Sequence, residues 1–406
     1  MDFNQETVTT IHDFCINKQR LAERILELRE RRPASIVLPI HYKDLDNPAL
    51  PNIIKQLNDC QCATTIVIPL AAENVEQYRT ALRELEKLEI NHTLLWCNGP
   101  TVEKIINQMK EIDIDITSFR GKGMDVWLGL GIASLNSYAI AVHDADILTY
   151  STDIPVKLLY PIVDPELNFF FNKGYYARVN VEERKMHGRV YRLFVEPLLD
   201  TMNEELRCNS ELLQYFKAFR YTLSGEFAMT SDFALNIRIP ADWGLEVGLL
   251  AEVHRNAAIK RICQTDLGFY DHQHKKLGTD LSAGLCKMAG DIFTTVLRVL
   301  TETTQTTVSI PFLHSARIKY KRLGQDAIRK YYTDAYCNGL EFNRHLEEMY
   351  VDMFSNVIMK VGEDYLMNPN DVLMPDWTRA LSAIPDLREQ LYQAAINDVK
   401  KFGNSE

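Results

Sequence analysis

Gly121–Tyr150, GKGMDVWLGLGIASLNSYAIAVHDADILTY, decides how the rest of the chain is read. Gly121-Lys122-Gly123 supplies a permissive backbone and one cation just ahead of an expected amphipathic helix. Ala139-Ile140-Ala141-Val142 then reads as a short buried strand, with no charge until it ends. At that end stand Asp144 and Asp146, with Ala145 between them. Ligands of α/β domains gather outside the carboxyl ends of strands. Two carboxylates there can hold a hard divalent cation through oxygen. Lys122 is the natural contact for phosphate oxygens that such a cation bridges. A metal–diphosphate site follows, in an enzyme that moves a group off a nucleotide.

Working towards the N-terminus, 34–40 (ASIVLPI), 64–70 (TTIVIPL) and 92–97 (HTLLWC) read as buried strands. Helical spacing predicts helices near 52–57, 75–88 and 102–110 between them, and an outer helix over about 8–32. That outer helix is expected to pack on the outside or on a partner subunit. Strand–helix alternation of this kind predicts a parallel α/β sheet with right-handed crossovers. No GxGxxG follows the first strand and no GxxxxGK[ST] occurs. Both absences count against a dinucleotide oxidoreductase or a P-loop NTPase.

Composition narrows the class further. The chain has 406 residues, long enough for more than one domain, and a formal net charge of -10. Such a charge argues against a general nucleic-acid binder. No apolar run approaches the roughly 20 residues of a membrane span. The opening MDFNQETVTT is polar and acidic, unlike a signal peptide, so the expected location is cytoplasmic. Eight scattered cysteines form no CxxC pair and read as reduced thiols.

Towards the C-terminus, 167–176 (LNFFFNKGYY) reads as an aromatic strand and turn. The segment 180–192 is basic, with Arg184, Lys185, His187, Arg189 and Arg192, and is the best candidate for gripping an anionic acceptor. His187-Gly188-Arg189 suggests a mobile loop there. Gly225 lies in an apolar segment, a pattern that marks close backbone approach. Glu246 sits in an apolar run, where an unpaired carboxylate is costly, so it either caps a helix or serves the site. Thr265–Tyr270 reads as a strand leading into Asp271-His272-Gln273-His274, a possible metal or phosphate cluster. From Lys275 the chain reads as helical, with periodic segments at 283–302, 327–335, 341–359 and 381–401. Glycosyl or phosphoryl transfer from a nucleotide fits these features, because in both a cation neutralises charge on the leaving oxygens. A Rossmann-like half followed by an acceptor half favours glycosyl transfer.

The ordered segments GKGMDVWLGL, VHDADI, HGRVYRLFVEPLL, TLSGEF, DWGLEVGLL and LGFYDHQH resemble the retaining glucosyl-3-phosphoglycerate synthases of glycosyltransferase family 81, over roughly residues 34–277. Mannosylglycerate synthase is a related resemblance. The resemblance implies a GT-A, Rossmann-like nucleotide-diphospho-sugar transferase fold with a helical C-terminal extension. Its implied divisions are an N-terminal helix (1–33), a donor half (34–150), an acceptor half (151–277) and a helical region (278–406). It implies a hexosyltransferase that moves glucose from a nucleoside diphosphate glucose to the 2-hydroxyl of 3-phosphoglycerate with retention, a step towards the compatible solute glucosylglycerate. The cofactor implied is Mg²⁺, with Mn²⁺ or Co²⁺ as substitutes, and the implied assembly is a homodimer.

Site roles follow from the same resemblance. Asp146 and His272 hold the metal; Pro39, Lys122, Asp144 and Asp146 face the donor. Gly188, Arg189, Gly225, Glu226 and His274 face the acceptor. Glu246, the backbone of Leu223, and Asp146 form the catalytic set. Tyr191 and His274 stand where the family commonly has threonine and asparagine, and His41-Tyr42-Lys43 replaces an acidic donor loop. No carboxylate is an obvious covalent nucleophile, so a front-face displacement is the simpler expectation. The alternatives are a mannosylglycerate or mannosyl-3-phosphoglycerate synthase using GDP-mannose, a nucleotidyltransferase, and a non-enzymatic sugar-nucleotide-binding scaffold.

Overall fold

The computed structural model describes residues 5–271, 284–304, 306–369 and 373–403. Its strands are β1 (Thr9–Ile11), β2 (Ala34–Val37), β3 (Ile40–His41), β4 (Thr65–Ala71), β5 (His92–Trp96), β6 (Ala139–Val142), β7 (Phe171–Ala177), β8 (Val179–Asn180), β9 (Lys185–Met186), β10 (Phe227–Thr230) and β11 (Ile262–Phe269). All but β8 and β9 join one sheet, in the order β1-β11-β7-β10-β6-β2-β4-β3, with β5 on β4. Val37 pairs with Val67 and Ile40 with Leu70, so β2 and β3 keep one register along β4. They are a single line interrupted at Leu38-Pro39, where proline has no N–H for the ladder.

Strands β2, β4, β5 and β6 run parallel, as the alternation predicts. The whole sheet is nevertheless mixed. β10 runs antiparallel to both β6 and β7 and joins that set to a second parallel set, β7, β11 and β1. Sequence reasoning misses β10 because Phe-Ala-Met-Thr is four residues long and buried throughout, so it shows no alternation.

The expected helix over 8–32 divides in two. Thr9-Thr10-Ile11 is β-branched and pairs as an edge strand beside β11, with Thr9 opposite Cys263. The helix proper is Lys18–Leu28, capped by Asn17, whose side chain accepts from the Arg20 amide. It packs on the helix Asp153–Val163 within the same chain, and Lys18 and Asp153 form an ion pair across that contact.

The helix that follows Gly121 runs Lys122–Ala133 and is not amphipathic: nearly every residue from Gly123 onwards is buried. Its outer face is covered by the C-terminal region. Trp127 and Trp377 stack with centroids 4.1 Å apart and planes 13° from parallel. The Trp127 indole N–H donates to the Pro375 carbonyl (2.7 Å), and that of Trp377 donates to the Trp127 carbonyl (3.0 Å). The C-terminal helices are Gly284–Thr304, Ile310–Cys337, Arg344–Met367, Trp377–Ala383 and Leu387–Phe402, and they share one hydrophobic core with the sheet. Pro311 occupies the first turn of its helix behind the Ser309 cap, where its missing N–H costs nothing. Among the described residues no helix is long and apolar enough to cross a membrane.

Two stability predictions follow. Trp377→Ala should cost about 3–5 kcal/mol, seen as a lower urea midpoint, because the cavity would open against Trp127. On the same helix, burial pushes the Asp125 carboxyl up to about 7, against an ordinary 3.8. The folded form then keeps a proton that the unfolded form has lost, so stability falls as pH rises from 3.8 towards 7. Asp125→Asn should therefore raise the thermal midpoint more at pH 8 than at pH 5; an equal shift at both would contradict the burial argument.

Candidate active site

The site begins at the amino end of the Lys122–Ala133 helix. Gly121 takes φ 123°, and a Cβ on Gly123 would lie 1.9 Å from the Pro240 carbonyl oxygen. The Gly123 amide instead donates to the Ala241 carbonyl (3.1 Å). This close crossing of two backbones aims Lys122 at the carboxyl end of β6. There its Nζ lies 2.5 Å from Asp144 Oδ1 and 3.3 Å from Glu246 Oε1. Burial alone would lower the lysine's pKa, but the Asp144 and Glu246 charges outweigh it and hold the ammonium well above the ordinary range.

Glu246 is in the first turn of the helix Leu245–Asn256 and almost fully buried. It does not cap that helix; the Gly244 amide is taken by Asp242 Oδ1 at 2.8 Å. The Glu246 carboxylate pairs with Lys122 instead.

Gly225 packs against the same pair. A Cβ there would meet Asp144 Oδ2 at 2.6 Å and Lys122 Nζ at 2.9 Å. Next to it, Glu226 is 0% exposed. Its Oε1 accepts from the Tyr270 hydroxyl (2.8 Å) and the Asp144 amide (3.4 Å). Oε2 accepts from the Tyr176 hydroxyl (2.7 Å) and Ser224 Oγ (3.2 Å). Tyr176 and Tyr270 stack on each other at 3.8 Å. The resemblance puts Glu226 among acceptor contacts, and its carboxylate accepts these four bonds from the protein itself. It anchors the backbone of the acidic loop from beneath.

Asp146 is half-buried, and its carboxyl is pushed up to about 7, first by burial and next by the Asp144 charge. Further acidic charge from Glu226 and Asp44 adds to this. A carboxylate so crowded is stabilised by a cation, and oxygen donors of this kind suit a hard divalent ion. Among the described residues no three metal-ligating side chains cluster. His272 and His274 lie outside the described residues, which stop at Asp271. The Asp271 carbonyl accepts from the Leu148 amide (2.9 Å), two residues beyond Asp146.

Other expected site residues are spread around this centre. Pro39 ends the β2 segment beside β6, where the His143 amide donates to the Val37 carbonyl (3.1 Å). Leu223 is buried in the loop before β10. Gly188 takes φ 76°, and Arg189 lies half-buried over the Tyr350 ring, 5.3 Å from its centroid. Two other cations of the basic segment are paired within the protein. Arg192 is buried on Glu347 at 2.8 Å, and Lys185 pairs with Glu183 at 2.9 Å. The segment is also tied down: the His187 amide donates to the Arg178 carbonyl (2.8 Å). Tyr191, at the start of a π-helical turn, packs on Tyr221 (4.8 Å), and its hydroxyl donates to the Arg220 carbonyl (3.2 Å).

Lys173 was not foreseen. It is fully buried, donates to the Ser224 carbonyl (2.7 Å), and burial brings its pKa down to about 8. A lysine inside an aromatic strand, LNFFFNKGYY, was the available signal.

A mixed sheet with the acidic pair and a lysine at its carboxyl ends is the architecture of GT-A glycosyltransferases. Solved structures of that kind superpose on it. The mannosyl-3-phosphoglycerate synthase of Rubrobacter xylanophilus matches at TM-score 0.54 and 20% identity, over 73% of this chain and 82% of that one. The glucosyl-3-phosphoglycerate synthase of Mycobacterium tuberculosis, solved with Mn²⁺, UDP-glucose and phosphoglyceric acid, matches at 0.52 and 19%, over 72% and 88%. No family model matches the chain. Among curated proteins, the glucosyl-3-phosphoglycerate synthase of Methanococcoides burtonii is 62% identical over 402 residues, 99% of both chains. That of Persephonella marina is 36% identical over 401 residues, 98% of both. The chain belongs to the glucosyl-3-phosphoglycerate synthase family.

Gly225→Ala tests the packing directly. Displacing Asp144 and Lys122 by even an ångström should lower turnover about 100-fold while the thermal midpoint barely moves.

Proposed function

We propose that this enzyme transfers glucose from a nucleoside diphosphate glucose to the 2-hydroxyl of 3-phospho-D-glycerate, with retention, giving glucosyl-3-phosphoglycerate. The observation that carries the reading is Lys122, held between Asp144 and Glu246 at the strand ends of a chain 62% identical to a named synthase along its length. Both full-length relatives are glucosyl enzymes, which favours glucose over the mannosyl alternative.

Residues 34–150 take the donor and 151–277 the acceptor. Asp146 and His272 would hold a divalent cation, Mg²⁺ or Mn²⁺, and Asp144 faces the ribose side with Pro39 behind the nucleoside. When bound, the cation supplies positive charge against the leaving diphosphate. Lys122 turns from Asp144 to the diphosphate oxygens and adds a second charge there. Glu246 orients the sugar hydroxyls, with Gly225 and the Leu223 backbone lining the sugar pocket. Gly188 and Arg189 hold the acceptor's carboxylate or phosphate, a role the family resemblance also gives to His274. Glu246 is engaged by Lys122, and Glu226 by tyrosine and serine hydroxyls, so neither is poised as a covalent nucleophile. The acceptor oxygen therefore bonds to the anomeric carbon on the face that the diphosphate leaves. Its proton passes to a departing phosphate oxygen. We further infer a cytoplasmic homodimer, for which light scattering should give twice the chain mass.

The defining assay measures nucleoside diphosphate release with UDP-glucose, Mg²⁺ and 3-phosphoglycerate, beside reactions with D-glycerate and with GDP-mannose. Release confined to the phosphorylated acceptor is expected; release with GDP-mannose would move the enzyme to the mannosyl reading. Asp146→Ala should abolish turnover with the fold intact, and retained turnover would sink the metal assignment. Arg189→Ala should raise the acceptor KM far more than the donor KM.

A further inference from the structure

The segment carrying Gly188 and Arg189 is gripped at several points by the C-terminal helices and the turn between two of them. The Glu341 amide donates to the Arg184 carbonyl (2.7 Å). Arg192 meets Glu347 through two bonds, of 2.8 and 3.1 Å, and lies over the Tyr331 ring. Its Nε donates to the carbonyl of His187, the residue before Gly188 (2.9 Å). The Tyr320 hydroxyl donates to the Leu193 carbonyl (2.6 Å), and Phe194 packs on Phe354 (5.1 Å).

Between these fixed points Arg189 is treated differently. Its guanidinium faces the ring of Tyr350, at 5.3 Å from the centroid. Tyr350 is 3% exposed and lies one turn beyond Glu347 on the helix Arg344–Met367. Among the described residues Arg189 makes no ion pair, and its buried Nε has no hydrogen-bond acceptor. Arg192 and Arg189 thus illustrate two ways to hold an arginine. A carboxylate fixes the guanidinium and cancels its charge. An aromatic face attracts it through the ring quadrupole and leaves the charge uncancelled.

We propose that Tyr350 is the positioning residue for the acceptor's anionic group: it presents Arg189 as an oriented cation with its charge intact, while Arg192–Glu347 fixes the backbone beneath. The C-terminal helices are, on this view, part of the device that selects an anionic acceptor. The inference rests on the reading of Arg189 as an acceptor contact.

Steady-state kinetics of the full chain with UDP-glucose and varied 3-phosphoglycerate test it. Tyr350→Phe keeps the π face and should keep the acceptor KM. Tyr350→Leu removes it and should raise that KM about ten-fold, with kcat and donor KM near wild type. Should the leucine variant fail to fold, phenylalanines of increasing ring fluorination at position 350 weaken the quadrupole at nearly constant shape. The acceptor KM should then rise with each fluorine at constant thermal midpoint. In an Arg189→Ala background, Tyr350→Leu should add nothing. A flat acceptor KM across the position 350 series, with Arg189→Ala still raising it, would overturn this inference and leave the site reading standing. An unchanged acceptor KM in Arg189→Ala itself would overturn both.

Discussion

The Lys122 ammonium lies between Asp144 and Glu246, and much of the structure exists to keep it there. The three groups come from a helix amino end, a strand carboxyl end and a second helix amino end, far apart in sequence. Each carboxylate alone would be costly at this depth, and so would the lysine. Pairing offsets much of that cost for all three. Because the Gly121–Gly123 backbone touches Pro240 and Ala241, the lysine's helix and the Glu246 helix cannot move independently.

Beneath this triad, β10 inserts antiparallel between the two parallel sets of strands. Its entry loop brings Gly225 under Asp144 and buries Glu226 among two tyrosines and a serine. A buried carboxylate with this many donors rigidifies what it touches, here the amide of Asp144. Burial and the neighbouring Asp144 charge still hold the Glu226 carboxyl above its ordinary range. The result is an acidic loop whose backbone is fixed while burial and the Asp144 charge keep the Asp146 carboxyl raised.

The C-terminal helices reach the site from two sides. Trp377 covers the helix that carries Lys122, and Glu347 and Tyr350 hold the segment that carries Arg189. They thus pack on both of these segments. Their helical periodicity reads as packing, and they share one hydrophobic core with the sheet.

The sequence by itself determined the parallel strands, the helices between them and the acidic pair at the end of β6, because short apolar runs and helical spacing are local signals. Family resemblance and the GKG spacing were also enough to single out Lys122, Gly225 and Glu246 before any contact was known. Other features depend on partners distant in the chain. Thr9–Ile11 is a strand only because β11 offers an edge, and β10 only because β6 and β7 flank it. The Lys122–Ala133 helix loses its solvent face only because Trp377 arrives some 250 residues later. The hydroxyl partners of Glu226 and the ion pair of Arg192 with Glu347 came into view only with their neighbours. Charge and periodicity mark a residue as important; which atom its side chain faces is decided by tertiary contacts, since burial and pairing are properties of the neighbours.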